Sequence, residues 1–131
     1  REPATPDGGH HVDARLLAKL YGGARVVIGA ALLLAPTQTA RGWIGDDAEA
    51  PGTRVALRAL GARDLVLGAG LLEALGRDKP VVRWLEAGMA SDLTDAVVSA
   101  TGEGERTSLA IAMAASGVAL GAYVRSQLDP G

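Results

Sequence analysis

An all-α fold, specifically a four-helix up-down bundle that crosses a membrane, is what this sequence predicts. Three observations carry that expectation: four long, weakly polar segments, connections that alternate between basic and acidic, and a composition rich in small residues. The segments run at about 15–36, 53–75, 80–101 and 107–127. At a rise of about 1.5 Å per residue, some 20 helical residues match the ~30 Å hydrocarbon layer of a bilayer, whereas helices of ordinary globular domains average about 11–12 residues. Hydrophobic residues make up 48% of the 131, with 18 glycines and no Phe, a mixture that suits helices whose backbones approach closely.

Punctuation sets each element in turn. Pro36 stops the first segment. Pro51-Gly52 precedes the second and Gly76 closes it. Pro80 opens the third, where a first helical turn tolerates the missing N–H, and Gly102 follows it. Thr107 opens the fourth, with Pro130 beyond. Ahead of them, residues 1–14 are polar, hold Pro3, Pro6 and Gly8-Gly9, and contain no apolar run of the kind a signal peptide needs. They read as a mobile tail, and the rest as one domain.

The flanks give an orientation. Arg1, Arg15 and Lys19, then Arg77, Lys79 and Arg83, then Arg125 fall on one side of an up-down bundle; Asp46, Asp47, Glu49, Glu103 and Glu105 fall on the other, with Arg41, Arg54 and Arg106 as exceptions. Basic flanks mark the cytoplasmic side, so the expected location is the cell membrane, multi-pass, with both termini cytoplasmic. The four aromatic residues, Tyr21, Trp43, Trp84 and Tyr123, fall near segment ends, where amphipathic rings favour the headgroup zone. Against this stands a mean hydropathy of only +0.18, and a soluble Ala-rich helical bundle is the alternative.

A net charge of −2 provides no basic field for nucleic acid. With no Cys, neither a thiol nucleophile nor a thiolate metal site arises. His10-His11 are adjacent and so diverge, which makes a poor metal site, and a carboxylate-only site would face three arginines. No metal and no cofactor is expected.

Charges inside the segments are the informative anomaly. Arg25, Arg58 and Arg63 stand against Asp64, Glu86, Asp92 and Asp95. Each costs at least ~2.5 kcal/mol at the centre of a span, so they should turn inward and pair. Counting helical rise puts Arg25 and Glu86 about 9–12 Å in from the basic side, and Arg63, Asp64 and Asp92 about 15–18 Å in. That height argument pairs Arg25 with Glu86, Arg63 with Asp92 and Arg58 with Asp95. Asp92, Asp95 and Ser99 share one helical stripe facing the second segment. Asp64 is left without a guanidinium, and an isolated carboxyl in low dielectric holds its proton near neutrality. The catalytic candidates are therefore Asp64, Asp92, Asp95 and Arg63, with Arg25, Arg58, Glu86 and Ser99 as binding or register-setting residues.

Two further patterns involve small residues. Gly23-Ala24-Arg25 with Gly29-Ala30 is echoed by Gly61-Ala62-Arg63 with Gly68-Ala69, either a duplication or biased composition. In the fourth segment Ala114, Gly117 and Gly121 form a ridge suited to packing within the chain or, as a runner-up, to homo-oligomerisation.

On Gly61-Ala62-Arg63-Asp64 together with Asp92-Leu93-Thr94-Asp95, the chain resembles the small four-span membrane proteins of unknown function from actinobacteria, over nearly all of Leu16 to Gln127. The resemblance implies the four-span fold and supplies no reaction. Three functions compete. A site for a lipophilic small molecule entering from membrane lipid could isomerise, cyclise or hydrolyse it, with an Asp as general acid or base and Arg63 stabilising negative charge. A non-catalytic accessory or scaffold subunit would use the charges to lock its fold. A proton-linked carrier would need oligomers to build a path.

Overall fold

The computed structural model describes residues 13–100 and 107–128, the side chains of 107–110 excepted. Every element among them is helical: α1 (Ala14–Leu34), α2 (Pro36–Ile44), a 3-10 helix (Gly45–Glu49), α3 (Pro51–Gly76), α4 (Val82–Ala100) and α5 (Thr107–Leu128). The expected tail falls almost wholly outside these residues, as do His10-His11, Glu103 and Glu105.

The four long helices lie where the sequence puts them, within two residues at most ends. The first connection differs. Pro36 does stop α1, since Ala35 ahead of it leaves helical geometry at φ −134°. The same Pro then occupies the first turn of α2, where its missing N–H costs nothing. Gly45, at a φ of 62°, turns the chain into the 3-10 helix. Ala40 and Ala48 from this cap pack with Leu32 and Leu57, and Trp43 covers them. Trp43 thus serves a small apolar cluster closing one end of α1 and α3.

At its other end α3 stops in a left-handed turn. Asp78 takes the positive φ of 50°, which Asp tolerates better than most residues, and the Lys79 N–H reaches back to the Ala74 carbonyl at 2.9 Å, a Schellman-type closure. Pro80 lies two residues before α4 rather than within its first turn.

Helices α1 and α3 form one closely packed antiparallel pair, α4 and α5 another, and the two hairpins touch more lightly through α1 with α5 and α3 with α4. Glycine makes the first pair close. Gly22 and Gly29 are seven residues apart, as are Gly61 and Gly68, and in antiparallel register Gly29 faces Gly61 while Gly22 faces Gly68. A Cβ added at Gly29 would lie 2.6 Å from the Gly61 carbonyl oxygen, and one at Gly68 would lie 2.6 Å from that of Gly22. The seam therefore uses Gly22, not the Gly23 of the internal echo, which has open space around it. In the second pair Gly117 and Gly121 face Asp92 and Met89 of α4, so this ridge packs within the chain.

Two apolar clusters bracket the interior. Near the start of α1, Ala18, Tyr21, Leu71, Leu75, Leu85 and Val124 pack together; the cap cluster lies at the far end. Outward, Leu20, Val27, Leu34, Val66, Leu93 and Val98 are exposed. Among the described residues, α1 alone is long and apolar enough to cross a membrane by length and composition. Arg54, Arg58, Arg63, Asp64 and Glu73 interrupt α3, and Arg83, Glu86, Asp92 and Asp95 interrupt α4.

Candidate functional site

Between the two apolar clusters lies a buried ionic layer centred on Arg25, which is only 7% exposed. Tyr21 sits one helical turn before it on the same face of α1. The Arg25 Nη1 donates to Asp64 Oδ1 of α3 at 2.6 Å. Its Nη2 lies 2.5 Å from Asp92 Oδ2 of α4 and donates to the Tyr21 hydroxyl at 3.0 Å and to the Gly88 carbonyl at 3.1 Å. The Tyr21 hydroxyl in turn donates to Asp92 Oδ2 at 3.0 Å. The guanidinium also stands 5.1 Å from the centre of the Tyr21 ring, within cation–π range.

A second pair adjoins the first. Arg63 makes a two-pronged contact with Asp95, Nη1 to Oδ1 at 2.9 Å and Nη2 to Oδ2 at 2.6 Å, and its Nη2 is 3.5 Å from Asp64 Oδ1. Adjacent helical residues diverge by about 100°, so Asp64 turns toward α1 while Arg63 turns toward α4. The two layers differ in solvent access. The Asp64 and Asp92 side chains are 14% and 13% exposed, those of Arg63 and Asp95 32% and 36%.

Two carboxylates of α4 reach guanidinium groups of the α1–α3 hairpin: Asp92 reaches Arg25 and Asp95 reaches Arg63. Their three-residue spacing does place both on the expected stripe of α4. Removing one partner of the buried Arg25–Asp92 pair strands the other charge, which typically costs about 3–5 kcal/mol, and the more exposed Arg63–Asp95 pair should lose less.

The pairings themselves depart from those expected by height. Glu86 pairs with Arg125 of α5 at 2.9 Å, half-exposed, and not with Arg25; six residues before Asp92, it points to another side of α4. Arg63 takes Asp95 rather than Asp92. Arg58 does not meet Asp95, since its exposed Nε donates to the Leu33 carbonyl at 3.3 Å. Asp64 is not the acid without a cation, because both Arg25 and Arg63 attend it. Ser99, one turn beyond Asp95 and partly buried, contributes none of the bonds joining Asp95 to Arg63. Height along a helix was countable from the sequence, whereas direction around it decided the partners.

The unexpected participants are Tyr21, the Gly88 carbonyl and Gly117. Tyr21 is a core residue, not an interfacial one, and its spacing of four from Arg25 was the available signal. A Cβ at Gly117 would collide with Asp92 Oδ2, so the space beside this carboxylate is filled. Nε of Arg25 and of Arg63, and Ser91 Oγ, are buried without a hydrogen-bond partner among the described residues. No group of three acidic or imidazole side chains there is placed to hold a metal.

Chemically, this layer suits holding better than reacting. A general base needs a lone pair within reach of a substrate, and Asp64 and Asp92 already direct theirs at guanidinium and phenol groups in a packed interior. Comparison with protein-family models, curated proteins and solved structures finds no match.

Proposed function

We propose that this chain is a small multi-pass membrane protein, a four-helix up-down bundle with both termini cytoplasmic, whose ionic layer locks two helical hairpins together in a non-catalytic accessory or scaffold role. The observation that carries the reading is an inverted distribution of polarity. Arg25 is 7% exposed while Val27, two residues on, is 68% exposed. Water would favour the opposite arrangement; hydrocarbon favours charges paired inside and aliphatic side chains outside. In support, α1 is apolar enough to span, and α5 carries no charged residue between Thr107 and Val124. The charges that interrupt α3 and α4 at mid-length include Asp64 and Asp92, which face inward. The resemblance to small four-span proteins of actinobacteria fits the same reading.

Membrane fractionation tests it. The chain should stay with membranes through high-salt and alkaline washes and need detergent for extraction; a monodisperse particle without detergent would contradict the proposal.

A second reading rests on the Arg63–Asp95 pair, which is about one-third exposed between α3 and α4. A lipophilic molecule with a polar group could reach it laterally from the bilayer, with Arg63 as the anion-stabilising group. Retention of a specific small molecule by the wild type but not by Asp95→Asn, with the fold intact, would favour this reading over the lock.

A further inference from the structure

Where α1 begins, α3 ends, α4 begins and α5 ends lies a cleft of about 470 Å³. Its walls divide by chemistry: Leu75, Val81, Val82 and Leu128 form an apolar side, Arg15 and Lys79 a cationic one. The size falls in the range of about 300–1,000 Å³ typical of small-molecule sites.

The local fold leaves one of these cations uncommitted. Arg15 Nη2 donates to the Leu75 carbonyl at 2.8 Å and to Asp78 Oδ1 at 2.9 Å, which satisfies an end carbonyl of α3 and neutralises the one acid lining the cleft. Lys79 is held by its backbone bond to Ala74, yet its ammonium has no ion-pair partner among the described residues. One uncompensated positive charge, that of Lys79, therefore borders an apolar recess. On the membrane reading, on which this inference rests, the recess lies at the cytoplasmic leaflet, where anionic lipids concentrate.

We infer that this cleft seats the phosphate headgroup of an anionic membrane lipid, with Lys79 as its counter-charge and Val81, Val82 and Leu128 against the glycerol and upper acyl chain. The match is one of amphiphile to amphiphile: a free phosphate would satisfy Lys79 but leave the apolar wall uncovered.

The full chain in lipid nanodiscs of phosphatidylcholine containing a minority of phosphatidylglycerol provides the test, with native mass spectrometry counting the lipids retained on delipidation. Wild type should retain phosphatidylglycerol preferentially, and inorganic phosphate should not displace it. Lys79→Glu, an exposed change that spares every described side-chain bond, should lower that retention on the order of tenfold, whereas Arg54→Glu at the opposite end should not. Equal retention by wild type and Lys79→Glu, absence of lipid preference, or displacement by inorganic phosphate would each overturn the inference while leaving the membrane reading standing. Failure of the chain to enter nanodiscs would overturn both.

Discussion

The guanidinium of Arg25 and the carboxylate of Asp92 lie 2.5 Å apart, and this contact joins the α1–α3 hairpin to the α4–α5 hairpin. Both partners are nearly buried, so neither can be left alone at low energetic cost. The same guanidinium holds Asp64, which makes Arg25 the residue shared by both hairpins.

Replacing Arg25 with Met, similar in length and uncharged, should therefore strand Asp64 and Asp92 and destabilise the fold by about 3–5 kcal/mol. Thermal unfolding in detergent measures it. Arg25→Lys should restore only part of the loss, because one ammonium lacks the planar fork that serves Asp64, Asp92, Tyr21 and Gly88 together. Asp92→Asn combined with Arg25→Met should be less harmful than the sum of the two, with a coupling of about 1–3 kcal/mol.

The glycine seam gives a paired expectation. Gly29→Ala would bring a Cβ to 2.6 Å from the Gly61 carbonyl oxygen, forcing α1 and α3 apart; overpacking of this kind costs about 1–3 kcal/mol. Gly23→Ala meets nothing within 4 Å and should be neutral or stabilising by up to about 1 kcal/mol, since Ala favours helix over Gly. Unfolding midpoints of the two variants should move in opposite directions, or only that of Gly29→Ala should move.

Gly117→Ala links the α4–α5 contact to the ionic layer. The added methyl collides with Asp92 Oδ2, so Asp92 must swing away from Arg25 and Tyr21. The expected result is a loss comparable to that of Asp92→Asn, and the two together should be markedly less than additive.

The outer pairs should behave differently. Glu86 and Arg125 are both about half exposed, so Glu86→Gln should change stability by no more than about 0.5–1 kcal/mol. A large loss there would mean that Glu86 lies closer to the core network than its geometry indicates.

Much of this was readable in the chain beforehand. The four long helices followed from Pro36, Pro51, Gly76 and Thr107, and five of the seven charges expected inside were placed rightly near the core, whereas Arg58 and Glu86 are exposed. Asp92 and Asp95 share a stripe because three residues make nearly one turn. What could not be read was which helix each charge faces. Height alone assigned Glu86 to Arg25, but rotation about α4 sends Glu86 to Arg125 and brings the Gly88 carbonyl inward instead. The cap formed by α2 and the 3-10 helix was also hidden, because Pro36 reads equally as the end of one helix and the start of the next. The Gly22/Gly68 and Gly29/Gly61 register requires knowing that α1 and α3 run antiparallel side by side, which no single segment reveals.

The inverted polarity of α1 can be measured most directly at Val27. The chain has no Cys, so Val27→Cys carrying a nitroxide label reports from one place, an outward position two residues beyond the buried Arg25. Reconstituted in bilayers, the label should relax readily with dissolved oxygen and weakly with a water-soluble nickel chelate, as lipid contact requires. Strong relaxation by the nickel chelate and weak response to oxygen would mean that Val27 faces water, and would contradict a membrane-spanning bundle with its charges locked inside.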